Sequence, residues 1–206
     1  MKRFLRNNGL SLVLLSMFLV FWGAQSVAGF HVFNDDQALH GKSLISYSEY
    51  LLSGHFWQAT GENWESEFLQ MGFYVILTSF LFQKGSAESN DPDEAEVIAA
   101  RRGRRRGSWL YRNSLSLGFL VLFAVSFSVH AIGGLSEMNL ERAEHGEPVE
   151  TMAGFLSGSE FWFQSFQNWQ SEFLAVLSIV VLSIFLRQDG SPESKGVEDP
   201  HSKTGA

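Results

Sequence analysis

The chain has 206 residues, 45% of them hydrophobic, with 19 Phe and 6 Trp, only 18% charged and a formal net charge of −7. A soluble domain carries about 25% charged residues; here the shortfall is gathered into four charge-free blocks, 7–30, 68–83, 113–136 and 173–186, which excludes a simple soluble domain. The absence of cysteine excludes disulfides, zinc–thiolate and iron–sulfur centres and thiol-based oxidoreductases.

In chain order, Lys2, Arg3 and Arg6 precede an uncharged stretch of 24 residues, which spans about 36 Å as a helix and so crosses a ~30 Å bilayer core. The first span falls at about 9–30. A cleaved secretory signal is the rival reading, with 10–22 as its apolar core and Ser26-Val27-Ala28 as its cleavage site. The same pattern recurs in mid-chain at 110–134, which favours a retained helix. In the following outer loop, Ser43 is placed to cap a short helix carrying Leu44, Tyr47, Leu51 and Leu52 on one face, with Gly54 as its stop. The apolar block 68–83 holds only 16 residues, fewer than the roughly 20 a span requires. Starting its helix at Asn63 supplies the rest and sets a second span at about 64–83, with Gly85 at the C-terminal end. Residues 91–108, acidic and then basic, read as a disordered cytoplasmic linker. A third span follows at about 113–134. The second outer loop offers Pro148 in the first turn of a helix with Val149, Met152, Phe155 and Leu156, stopped at Gly158. A fourth span, capped by Asn168, runs over about 169–187, and 188–206 reads as a disordered tail.

These elements repeat at an offset of 105 residues. It aligns Asn8-Gly9-Leu10-Ser11-Leu12 with Asn113-Ser114-Leu115-Ser116-Leu117, His40-Gly41 with His145-Gly146, and Phe56-Trp57 with Phe161-Trp162. It also aligns Asn63-Trp64-Glu65-Ser66-Glu67-Phe68-Leu69 with Asn168-Trp169-Gln170-Ser171-Glu172-Phe173-Leu174. The expected architecture is therefore an all-α membrane protein of four transmembrane helices, built as two tandem parallel-repeat hairpins, 1–90 and 109–187, with short amphipathic helices in the outer loops. Charge sorting sets the direction of threading. The N-terminus, the central connection and the tail hold 13 of the 15 basic residues and net +4, whereas the opposite side nets −11. Both termini are expected in the cytoplasm.

Four polar residues fall at similar depth near the outer ends of the helices: Gln25, Glu67, His130 and Glu172. The two glutamates read either as first-turn residues favoured by the helix macrodipole or as membrane-depth carboxylates that accept a proton or cation. As a layer, the four would fix helix pairing by hydrogen bonds; the structural reading is preferred. Trp57, Trp64, Trp162 and Trp169 are expected in the interfacial aromatic belt. Arg101, Arg102, Arg104, Arg105 and Arg106, a few residues before a span, suit anionic lipid headgroups rather than nucleic acid. The six histidines show no metal- or haem-ligand spacing, and His40-Gly41 and His145-Gly146 read as turns. No cofactor or metal is expected, and no nucleotide-binding or hydrolase motif is present.

The Asn-Trp-x-Ser-Glu-Phe-Leu repeats, the His-Gly pairs and the Gly-Ser-Pro-Glu-Ser-Lys tail resemble an uncharacterised family of bacterial multi-pass membrane proteins, a domain of unknown function of about this size. The resemblance implies a bacterial plasma-membrane protein and no activity, cofactor or catalytic residue. Residue chemistry and resemblance together lead to a non-enzymatic accessory or scaffold protein of the envelope, with a homo-oligomer or another membrane protein as partner. The alternative is a small oligomeric channel or proton-linked carrier using Glu67 and Glu172.

Overall fold

The computed structural model describes residues 2–103 and 107–205. Every regular element among them is helical: α1 (Lys2–Leu39), α2 (Tyr47–Tyr50), α3 (Gly54–Leu77), α4 (Ala95–Gly103), α5 (Trp109–Arg112), α6 (Ser114–Glu144), α7 (Met152–Ser157) and α8 (Ser159–Phe185). Contacts divide the chain into two compact units, Met1–Ala59 with Ile132–Glu150, and Thr60–Ala131 with Thr151–Ala206.

Three helices are long and apolar enough to cross a membrane: α1 from Arg3, α6 and α8. The expected fourth, α3, is not. It carries Glu62, Glu65 and Glu67, and it ends at Leu77 in a turn, so its charge-free helical run covers only 68–77. Nor do Asn63 and Asn168 cap anything, because α3 and α8 begin nine residues earlier, at Gly54 and Ser159, and pass through both asparagines.

In the first unit, α1 and the end of α6 outrun their expected limits at residues 30 and 134 because nothing breaks them before the His-Gly pairs. There the chain turns on glycines with φ of 68° at Gly41 and 69° at Gly146. Lys42 N donates to Gln37 O and Gly41 N to Ala38 O, while Glu147 N donates to Arg142 O and Gly146 N to Ala143 O. This is the Schellman closure, which satisfies the last carbonyls of a helix and favours glycine in the left-handed position. Behind each turn an asparagine side chain grips the returning strand of chain. Asn34 Nδ2 donates to Ile45 O at 3.0 Å and its Oδ1 accepts from Ile45 N at 2.9 Å. Asn139 does the same to Glu150, at 3.1 and 2.6 Å. The loop helix α2 is capped by Ser46, not Ser43, in a reciprocal box with Glu49. The capping hydrogen bonds from the Ser46 backbone and side chain hold the Glu49 carboxyl below the usual range. Its buried residue is Tyr50, packed among Phe30, Phe33, His55 and Phe56, rather than the expected leucines.

In the second unit, Thr151 caps α7, so Pro148 lies before the helix rather than in its first turn. The segment read as a disordered linker holds a 3-10 turn at Pro92–Glu94 and then α4. The tail has no helix but is gathered around Lys195, 1% exposed, whose ammonium donates to the carbonyls of Gly85, Ile184 (3.3 Å), His201 (3.0 Å) and Lys203 (2.9 Å). Composition alone gives no hint of a lysine that finds so many acceptors.

Side chains are distributed in the reverse of a soluble protein. Among the described residues the buried apolar set is small (Tyr50, Phe56, Leu69, Ala131, Phe155 and Phe161), while buried polar groups outnumber it and include Ser26, Thr60, Glu65, Gln70, Ser126, His130 and Ser165. The helix exteriors are apolar, with Leu10 75%, Val121 61% and Leu174 62% exposed. Exposed apolar surface on this scale marks contact with something other than water.

Candidate functional site

The polar interior of the second unit centres on one pair. Glu65 on α3 and His130 on α6 have fully buried side chains, with His130 Nδ1 and Glu65 Oε2 3.1 Å apart. What brings them together is a glycine one turn earlier. A Cβ added to Gly61 would lie 2.4 Å from His130 N and 3.0 Å from Ser126 O, so only glycine lets the α3 backbone touch α6 there. The third wall is α8: Ser165 Oγ donates to Glu65 Oε1 at 2.7 Å, and Trp169 Nε1 donates to the same oxygen at 3.2 Å. Gln164 Oε1 stands 3.2 Å from His130 Nε2, and the Phe161 ring stacks on the imidazole at 4.6 Å.

Both imidazole nitrogens thus face oxygens. One ring nitrogen is used by Glu65 and the other by Gln164, so neither edge of the imidazole is left bare. Burying polar groups is tolerable only where hydrogen bonds satisfy them, and the Glu65 carboxyl is bonded by three side chains. Ser165 donates to Glu65 and not to His130, an order different from the serine–histidine–acid relay. Glu62, half-buried, accepts from Asn168 Nδ2 and lies within electrostatic reach of His130. The network ties α3, α6 and α8 together at one level.

Of the four residues expected to form a layer, only His130 belongs to this network. Its partner is Glu65 and not Glu67, which is exposed. Two residues along a helix is a rotation of about 200°, so the two glutamates face opposite ways. Glu172 is half-buried, and its backbone carbonyl accepts from Gln70 Nε2 at 3.0 Å. Gln25, in the first unit, is exposed on α1. The four tryptophans, Trp57, Trp64, Trp162 and Trp169, are all half-buried; Trp162 Nε1 donates to Leu156 O at 2.8 Å, and Trp169 serves the buried pair. Arg101 and Arg102 fall in the last turn of α4, while Arg104, Arg105 and Arg106 lie outside the described residues. Among the described residues no group of three or more His, Asp or Glu side chains is arranged to hold a metal ion.

All-helical among the described residues, with three helices long and apolar enough to cross a membrane and a buried, hydrogen-bonded polar interior, the chain falls in the class of helical proteins that could span a bilayer. The family model of a domain of unknown function, DUF6766, matches residues 1–206, and the chain belongs to that family. No curated protein and no solved structure matches it.

Proposed function

We propose that the protein is a non-enzymatic integral membrane protein of the bacterial plasma membrane, an accessory or scaffold of the envelope. One observation carries this reading: polar groups make up most of the buried set, and leucine, valine and phenylalanine face outward. The buried pair is its helix lock, because each polar atom of Glu65 and His130 is used by a neighbouring helix. The 105-residue repeat and the matching Asn34 and Asn139 clamps support two tandem hairpins; α3, too polar to cross alone, crosses with Glu65 satisfied by α6 and α8, which keeps the number of crossings even and both termini on one side. The sorting of basic residues supports cytoplasmic termini, with the arginines of 101–106 against anionic headgroups.

Topology is tested by single cysteines at Leu52, 83% exposed, and at Glu96, probed in intact cells with an impermeant thiol reagent. Leu52→Cys reacts before permeabilisation and Glu96→Cys only after it. Reaction of Glu96→Cys alone inverts the threading, and reaction of both in intact cells rejects a crossing between them.

The second reading, a proton-linked carrier or small oligomeric channel, was expected to run through Glu67 and Glu172. What favours it is elsewhere: Glu62 adds a second carboxylate beside the buried His130.

A further inference from the structure

The first unit holds a cleft of about 340 Å³ lined by Leu19, Trp22, Gly23, Ser26, Tyr47, Leu51, Phe56 and Trp57. That volume is within the ~300–1,000 Å³ of small-molecule sites, which are mainly apolar with few polar groups. Here the polar groups are two hydroxyls. Ser26 Oγ donates to Gly23 O at 2.7 Å, so in the 2.6 Å contact between Ser26 and Tyr47 the phenol is the donor. Trp22 and Phe56 stack across the cleft at 6.2 Å.

The repeat explains why there is room. Shifted by 105 residues, Trp22, Phe56 and Trp57 become Phe127, Phe161 and Trp162. Those three close on one another, with Phe127 5.2 Å from Phe161, and His130 fills the space beneath. The His130 counterpart is Gln25, which is exposed, so no side chain from that position fills the first copy. The α1 wall of the cleft, residues 19–26, lies well inside the membrane-length stretch Arg3–Leu39, with Leu15 one turn away 53% exposed and Leu19, in the lining itself, 52% exposed.

We infer that this cleft seats one acyl chain of a bilayer lipid. The inference rests on the membrane reading above: a cleft that opens among exposed apolar side chains in the outer half of the span is reached by hydrocarbon. Gly23 supplies the test. It lines the cleft, and a Cβ added there meets nothing within 4 Å, so Gly23→Leu adds bulk at the cleft wall with room for its Cβ. Gly118, on α6, is equally open and does not line the cleft, so Gly118→Leu is the control for helix propensity and added bulk.

The full chain is reconstituted into phosphatidylethanolamine–phosphatidylglycerol vesicles, washed with alkaline carbonate, extracted into dodecyl maltoside and weighed by native mass spectrometry. Wild type and Gly118→Leu keep a bound phospholipid; Gly23→Leu loses it by about tenfold or more. Added phosphatidylglycerol raises the melting temperature of the first two only. Equal retention in both variants overturns the inference and leaves the membrane reading standing. A chain released by carbonate overturns both. A lipid-free wild-type dimer that Gly23→Leu converts to monomer assigns the cleft to a second copy and overturns the inference alone.

Discussion

Phe56-Trp57 and Phe161-Trp162 are the same dipeptide in the same repeat, yet the first pair lines an open cleft and the second closes over a buried histidine. Elsewhere the copies agree in detail. Asn34 and Asn139 make the same two hydrogen bonds, and Gly41 and Gly146 share a φ within 1°. The difference separates two kinds of constraint. Ending a helix and reversing the chain is a main-chain problem with one economical answer, so both copies keep it. The buried pair is a side-chain solution that occurs once: Glu65 comes from the first copy and His130 and Gln164 from the second, and their counterparts are Gln170, Gln25 and Ala59. The asymmetry places the specialised chemistry in the second unit and the empty space in the first.

The largest expected effect breaks the pair. Glu65→Leu takes from His130, Ser165 and Trp169 their shared partner, and each buried polar group left unpaired costs about 1–3 kcal/mol. Gln170→Leu, at the exposed equivalent position, should stay within about 0.5 kcal/mol. Thermal unfolding in detergent reads both. Replacing both partners, Glu65→Leu with His130→Leu, should recover part of the loss, because the imidazole is no longer buried without its partner. Similar melting for Glu65→Leu and Gln170→Leu would remove the distinction between the two copies. Full stability in Glu65→Gln with loss of pH-driven flux in liposomes would shift the balance to the carrier reading.

A middle-sized effect tests what the copies share. Asn34→Ala and Asn139→Ala each delete a paired donor and acceptor to the main chain, worth about 1–3 kcal/mol. Because the geometry is the same, the two losses should agree within about 0.5 kcal/mol. A clear inequality would show that the copies diverge at their turns as well as in their interior.

Much of this fold is written in local sequence. Three of the four charge-free blocks mark the membrane-length helices, the offset of 105 exposes the repeat, and the His-Gly pairs are the turns. The Ser46–Glu49 capping box is equally legible, although Ser43 offers the same residue type three positions earlier. Helix starts were misplaced because Gly54 and Gly158 read as stops. Gly158 does end α7 and then caps α8, while Gly54 opens α3 directly. The site was harder. Depth along a helix is readable from counting, and it selected His130; facing is not, and it mistook Glu67 for Glu65. The available signal was Gly61, four residues before Glu65 and therefore on its face, marking where two backbones touch. The tail around Lys195 depends on contacts between segments about 100 residues apart, which no local pattern announces.

The smallest expected effect lies in the tails, where the copies meet their solvent-facing chemistry again. Glu88 and Glu193 are equivalent residues, but only Glu88 is half-buried: its Oε2 accepts from Tyr74 and its Oε1 is buried without a partner. Burial pushes the Glu88 carboxyl up, the Tyr74 hydrogen bond pulls it down, and the neighbouring Glu193 adds a further upward push. A carboxyl whose pKa is higher folded than unfolded binds more protons in the folded state, so its stabilising contribution is complete below the ordinary glutamate range and fades as pH rises through the folded value. The melting temperature in detergent should therefore fall, as pH rises above the ordinary glutamate range, more steeply in wild type than in Glu88→Gln, whose side chain cannot ionise. Glu193→Gln removes one of the two upward pushes and should flatten the slope only partly. An unchanged slope in Glu88→Gln would mean that Glu88 is as well hydrated as its exposed twin, and the two tails would then be alike where the interiors are not.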